Sequence, residues 1–107
     1  MEFLYVESTE LIYTDRNQVN PPTQNIAYDT ISTLFYGIRT KKMLLGLIKK
    51  PQRYLTIQCA KGQFTVTEDD VGGEVLERYI EQIKDFAHRH RVTIRETTGD
   101  GKEDWRL

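Results

Sequence analysis

The sequence predicts an α+β domain in which about six to seven short strands build an antiparallel bent sheet or partly open barrel, closed by one C-terminal amphipathic helix. Before residue 68 the chain consists of short runs rich in β-branched and aromatic residues, separated by turn residues. From Gly73 to about His90 the apolar spacing changes to the period of a helix face. A length of 107 residues fits one domain, which we place at residues 1–96, with a polar tail at 97–107.

The N-terminal half is predicted to contain a hairpin and one long strand. Residues 3–7 and 11–14 flank a short polar turn, although one continuous strand also fits the pattern. Residues 26–39 are predicted as the longest strand. The apolar parity changes near Asp29, which predicts a bulge or a single helical turn there.

The clearest predicted hairpin joins residues 53–60 to residues 63–68, because apolar and polar side chains alternate along both. The stretch at 41–51 is predicted as a strand end followed by a loop, because Gly46 and Pro51 interrupt it.

The closing helix is predicted from a stripe of apolar side chains at three-and-four spacing: Val75, Leu76, Tyr79, Ile80, Ile83, Phe86 and Ala87. Asp69 and Asp70 precede it, where acids suit the helix dipole. Residues 92–96 are predicted to add a short final strand, either to this chain's sheet or to that of a neighbouring subunit.

Four segments, together with the closing helix, resemble a bacterial pleckstrin-homology-like (PH-like) domain of unknown function: Leu11-Ile12-Tyr13-Thr14-Asp15, Ile26-Ala27-Tyr28-Asp29-Thr30-Ile31, Tyr54-Leu55-Thr56-Ile57 and Gln63-Phe64-Thr65-Val66. The resemblance covers residues 4–90. It implies a partly open barrel plugged by the helix, no catalytic chemistry, and a role as a scaffold for protein, peptide or phospholipid binding, with self-assembly in some members. The segment from Val92 onward has no counterpart in the pattern.

Charge is segregated along the chain although the net charge is only −1. Residues 1–29 carry five acids against one base, residues 30–67 carry seven bases and no acid, and residues 68–107 carry eleven acids against seven bases. Such segregation indicates a basic contact surface between two acidic regions.

The candidate contact surface is the basic segment 39–53. Its six bases bracket the apolar residues 43–48: Arg39, Lys41, Lys42, Lys49, Lys50 and Arg53. Exposed, this combination suits an anionic membrane, a phosphate-rich polymer or an acidic protein groove. The acidic helix of a neighbouring subunit is another candidate partner, which would build a homo-oligomer head to tail. The structural alternative is that the lysines remain in water while Leu44, Leu45 and Ile48 pack inside.

No catalytic residue, cofactor site or metal site is predicted. His88 and His90 are two residues apart on a helix and point to different faces. Cys59 alternates with core residues, which indicates packing rather than catalysis. The acids at 68–70 suit a helix N-terminus. Binding to nucleic acid is disfavoured by the acidic isoelectric point of about 6.1.

These patterns predict a non-enzymatic binding and assembly module that self-associates and contacts a protein or an anionic surface through the basic segment. A peripheral domain for anionic phospholipids is one alternative, and a small enzyme of an unrecognised α+β type is another. The single cysteine and the acidic N-terminal residues predict a cytoplasmic protein. The longest apolar run, residues 43–48, is far shorter than the roughly 20 residues that span a bilayer.

Overall fold

The computed structural model describes residues 2–97, which form seven strands and two helices. The order along the chain is β1 (Leu4–Val6), β2 (Glu10–Thr14), β3 (Thr23–Ala27), β4 (Ile31–Met43), β5 (Ile48–Cys59), β6 (Gly62–Thr67), α1 (Glu68–Val71), α2 (Gly73–His90) and β7 (Ile94–Thr97). The α+β class, the number of strands and the C-terminal helix are therefore confirmed.

The strands form two sheets, and no barrel closes within the described residues. The first sheet has the antiparallel order β1-β2-β3, and the second has the order β6-β5-β4-β7. The predicted first hairpin is confirmed by the β1–β2 register, in which Leu4 faces Tyr13 and Val6 faces Leu11. The prediction of purely antiparallel pairing is wrong at β7, which runs parallel to β4 because the chain crosses over through α2.

The predicted long strand at 26–39 is divided between two sheets. A single helical turn at Tyr28–Thr30 separates β3 from β4, as the change of parity near Asp29 predicts. This turn carries the chain from the first sheet to the second.

The prediction of a loop at 41–51 is wrong, because the β4–β5 ladder continues to the pair Met43–Ile48. The pairing tolerates Pro51 because β6 pairs with β5 only from Tyr54 onward, so Pro51 has a neighbouring strand on one side, as at a sheet edge. Gly46 lies in the turn that joins the two strands.

Helix α2 has the predicted bounds and supplies one wall of the core. Its buried side chains are Leu76, Tyr79, Ile80, Ile83, Phe86 and Ala87. They belong to one buried apolar cluster with residues of both sheets, including Leu11, Ile26, Leu34, Leu55 and Val66. Full burial of such a side chain contributes about 1.5–3 kcal/mol, so this helix face holds the two sheets together.

Of the three acids before α2, Asp70 has the predicted capping role, at the start of α1, whereas Glu68 and Asp69 contact β4 and β5. Asp70 in α1 accepts a hydrogen bond from the backbone N–H of Thr67 at 2.9 Å, and together they form a capping box. Gly72, with φ of +88°, then redirects the chain into α2.

Strand β7 docks beside β4 only because position 37 is a glycine. Gly37 has φ of +145°, and a Cβ atom there would lie 2.3 Å from the carbonyl oxygen of Thr97. The buried Thr97 hydroxyl lies 2.7 Å from the hydroxyl of Tyr54. Residues 94–97 therefore pair with their own sheet, and Thr97 belongs to β7 rather than to the predicted tail. Residues 98–107 lie outside the described part of the chain.

Candidate functional site

The basic segment forms a two-stranded arm, residues 38–53, that extends beyond the rest of the second sheet. β6 pairs with β5 no further than Tyr54, and β7 pairs with β4 no further than Gly37. Beyond these residues β4 and β5 pair only with each other within the described part of the chain. The tip of the arm is defined as residues 44–48. The molecule is accordingly elongated, with principal extents of 42 × 32 × 25 Å.

The tip presents apolar side chains to solvent. Leu44 and Leu47 are 65% and 85% exposed, and Leu45 is fully exposed. Ile48 is also exposed. The alternative in which Leu44, Leu45 and Ile48 pack inside is therefore wrong, because no other element reaches this far along the arm within the described residues. Four adjoining exposed aliphatic side chains are unusual unless something covers them in use.

The tip turn also holds two leucines in a left-handed backbone conformation. Leu44 and Leu45 have φ of +52° and +57°, and Gly46 has φ of +86°. The N–H of Leu47 closes the turn on the carbonyl oxygen of Leu44 at 3.1 Å. A left-handed conformation costs an ordinary L-residue about 1–2 kcal/mol, and Asn or Gly adopts it more easily. Both features of the tip are therefore unfavourable for the folded chain: its leucines are exposed to water, and two of them adopt a disfavoured backbone conformation.

Below the tip, four lysines surround the arm as a collar: Lys41, Lys42, Lys49 and Lys50. The register sets Lys41 directly opposite Lys50 and Lys42 directly opposite Lys49. Because neighbouring residues of a strand point to opposite faces, one like-charged pair lies on each face of the arm. Like charges directly opposite each other are destabilising, so the Lys42–Lys49 pair, which has no ion-pair partner among the described residues, favours a bound anion, whereas Asp69 lies beside Lys41 on the other face.

The base of the arm is braced by acids of α1. The Lys41 ammonium lies 2.5 Å from Oδ2 of Asp69, which also accepts a hydrogen bond from the Gln52 amide at 2.8 Å. These two hydrogen bonds lower the pKa of the Asp69 carboxyl. Gln52 accepts a bond from Nε of Arg39 at 3.3 Å, and the Arg39 guanidinium lies 5.1 Å from the centre of the Tyr54 ring.

Arg53 is tied to both helices. Its guanidinium pairs with Glu77 of α2, and its backbone N–H donates to Oε2 of Glu68 in α1 at 2.6 Å. Within residues 2–97, Lys42, Lys49 and Lys50 make no ion pair, in contrast to Lys41 and Arg53. The structure thus divides the six predicted bases: Arg39, Lys41 and Arg53 brace the arm, and the other three remain available.

Acidic residues of α1 and α2 therefore meet part of the basic segment within one chain. This reduces the charge that a neighbouring subunit's acidic helix would have to match. Head-to-tail self-association stays a prediction.

Of the histidine and cysteine side chains considered from the sequence, His90 and Cys59 make contacts that stabilise the fold. Nε2 of His90 lies 2.6 Å from the carbonyl oxygen of Ser8, and its ring stacks on Tyr28 with centroids 4.3 Å apart. Cys59 is a half-buried free thiol packed against the core. Among the described residues no three histidine, cysteine or acidic side chains group closely enough to hold a metal ion.

Comparison with protein-family models, curated proteins and solved structures finds no match to this chain. Among the described residues, none of the helices combines the length and apolar character that crossing a membrane requires.

Proposed function

We propose that this protein is a non-enzymatic binding module that docks on an anionic membrane surface by seating the tip of its β4–β5 arm in the lipid interface. The observation that carries the proposal is the pairing of an exposed, strained apolar tip with a lysine collar directly below it. An acidic protein groove would satisfy the lysines, but it would not require three exposed leucines at the end of the arm. A lipid interface uses both features.

The dimensions of the arm match the depth of interfacial binding. One ladder step, the pair Met43–Ile48, and the turn separate the Lys42–Lys49 pair from the end of the arm. A step of about 3.3 Å and a turn of similar height place the leucines about 7 Å beyond these lysines. Interfacial apolar groups bury about 5–10 Å into the headgroup and acyl boundary. The lysine ammonium groups would then lie at the level of the lipid phosphates.

The energies support reversible docking. Burial of a leucine side chain contributes about 1.5–3 kcal/mol when it is complete, and each lysine near an anionic surface contributes about 1 kcal/mol before salt screening. Partial burial of the tip and ordering of the bound arm reduce the total. Three leucines, and three lysines without an ion pair among the described residues, therefore suit a peripheral protein that associates and dissociates.

Co-sedimentation with vesicles tests the proposal. We expect binding to phosphatidylcholine vesicles that contain phosphatidylserine and much weaker binding to pure phosphatidylcholine, with a loss at higher salt because the collar is exposed. The double variant Lys42→Glu/Lys49→Glu should lose binding. Arg39→Gln, which changes a base that faces Tyr54 and Gln52, should retain most of it.

Two results would contradict lipid docking. Equal binding to neutral and anionic vesicles would show that the lysines of the collar do not contribute to binding. Absence of vesicle binding, together with a concentration-dependent dimer that Leu45→Asn abolishes in light scattering, would instead assign the tip to contact between two copies of the chain.

A further inference from the structure

A second basic surface lies at the opposite end of β4 from the tip. An open cleft of about 910 Å³ separates the C-terminal half of α2 from the segment that leads into β7. Its principal lining side chains are Tyr36, Lys84, His88, Arg91, Val92 and Ile94. The sequence alone does not predict this cleft, because Tyr36 is distant in the chain from the bases at the end of α2.

The cleft has an apolar floor and a basic rim. Tyr36, Val92 and Ile94 are half-buried, whereas Lys84, His88 and Arg91 are exposed. No carboxylate is among the described residues that line the cleft itself, and the Tyr36 hydroxyl at its edge donates to the Glu96 carboxylate at 3.5 Å. The Lys84 ammonium lies 5.6 Å from the centre of the Tyr36 ring, so its charge lies over the floor.

The bases of this surface differ in how far they are paired within the described residues. Arg89 is held by Asp85 at 2.9 Å and by the carbonyl oxygen of Ser8 at 3.3 Å. Lys84 pairs with Glu81 at 3.6 Å on an exposed helix face, where water screens the pair and a ligand's carboxylate can replace it. Arg91 makes no ion pair within the part of the chain that the structure describes. Lys84 and Arg91 therefore remain to meet a ligand's negative charge.

The shape of the cleft favours an extended peptide. The cleft is open rather than enclosed, and it ends at Ile94, the first residue of β7. Among the described residues, β7 is the outermost strand of its sheet and pairs with β4 on one side only. Such an edge accepts an added strand through backbone hydrogen bonds, while side-chain pockets select the sequence.

We propose that this cleft binds an extended peptide segment of a partner protein in which acidic and apolar residues alternate. The carboxylates would meet Lys84 and Arg91, and the apolar side chains would pack on Val92 and Ile94. This site does not depend on membrane docking. Ile94 pairs with Leu34, and Met43 lies nine residue steps further along β4, a distance of about 30 Å. A chain whose tip is seated in a membrane would therefore keep the cleft in water, as an adaptor requires.

Fluorescence anisotropy with a labelled peptide of alternating Glu and Val tests the site, with a peptide of alternating Lys and Val as the control. We expect the acidic peptide to bind with a salt-sensitive affinity and the basic peptide not to bind. Failure of the acidic peptide to bind, or equal binding of both, would overturn the proposal.

Two double variants with the same change in net charge locate the binding site. Lys84→Glu/Arg91→Glu should weaken binding of the acidic peptide at least tenfold, whereas Lys42→Glu/Lys49→Glu in the collar should leave it unchanged. Equal weakening by both would show a response to overall charge and would overturn the site. If the first variant unfolds, Lys84→Gln and Arg91→Gly replace it, because glycine suits the φ of +57° at position 91. Binding to anionic vesicles should be lost in the collar variant and kept in the cleft variant. The two measurements therefore test the peptide site and membrane docking independently.

Discussion

The base and the tip of the β4–β5 arm belong to one hairpin, yet they are built on opposite principles. At the base, Arg53 and Lys41 each contact an acid of another element, and the Arg39 guanidinium covers an aromatic ring. At the tip, three leucines face water on a turn with positive φ values at Leu44 and Leu45. Charge is neutralised where the arm meets the body and left unneutralised where the arm ends. This difference supports the proposal that the base serves the fold and the tip contacts a partner.

The largest expected effect concerns the body from which the arm extends. Gly37→Ala would bring a Cβ atom against the Thr97 carbonyl and should lower the free energy of unfolding by about 3 kcal/mol through overpacking and backbone strain. Chemical denaturation measures this. Gly62→Ala is the matched control, because Gly62 also has a positive φ but no atom lies within 4 Å of its added Cβ. Equal losses in the two variants would contradict a specific contact between β4 and β7.

A single substitution in the collar should separate stability from binding. Lys49→Glu places an acid directly opposite Lys42 and turns a repulsive pair into an attractive one, which should raise the free energy of unfolding by about 0.5 kcal/mol. The same change should weaken binding to phosphatidylserine vesicles several-fold. Thermal unfolding and co-sedimentation measure the two effects. A variant that is both less stable and fully able to bind would contradict the assignment of the collar.

The smallest expected effect is the titration of Asp69 at the base. Hydrogen bonds from Lys41 and Gln52 lower its pKa, so the folded chain keeps this carboxyl ionised to lower pH than the unfolded chain does. Its contribution to stability is present above the ordinary pKa of an aspartate and is lost as the pH falls through the lowered value. Lys41→Met should raise the pKa of Asp69 in an NMR titration. Lys42→Met, on the opposite face, should leave it unchanged, and equal shifts would contradict the specific pair.

The opposite pH range tests the apolar core around Tyr13, a residue of β2. Burial first, and then the nearby carboxylates of Asp15 and Asp70, raise the pKa of Tyr13 to about 12. The unfolded chain therefore releases this proton at a lower pH than the folded chain does. The contribution of Tyr13 to stability is present below about pH 10 and should be lost as the pH rises through about 12. In the variant Tyr13→Phe, the free energy of unfolding should depend less on pH in this range. An unchanged slope of the free energy of unfolding against pH would contradict the raised pKa of Tyr13.

Local periodicity predicts the helix and both tight hairpins, because their apolar spacing is set by residues close in sequence. Helix α2 therefore has its predicted bounds. The parallel docking of β7 was not predictable, since it depends on Gly37 and Thr97, which are distant in the chain. The sequence located the basic segment 39–53 as the candidate surface. It did not predict which of its six bases contact other elements and which remain exposed without an ion pair among the described residues. Whether Arg53 is braced or free depends on Glu77 in another element, and whether Leu45 is inside or outside depends on the length of the β4–β5 ladder.

The tip variant Leu44→Asn/Leu45→Asn tests most directly whether the tip enters the lipid interface. Both its folding stability and its membrane binding are measured. Asparagine suits the left-handed backbone at both positions, so we expect the variant to be more stable than the original chain by about 1 kcal/mol. It also removes two apolar side chains from the tip while leaving the lysine collar intact. We expect a higher melting temperature together with at least a tenfold loss of binding to phosphatidylserine vesicles. A variant that binds these vesicles as well as the original chain does would show that the tip does not enter the lipid interface.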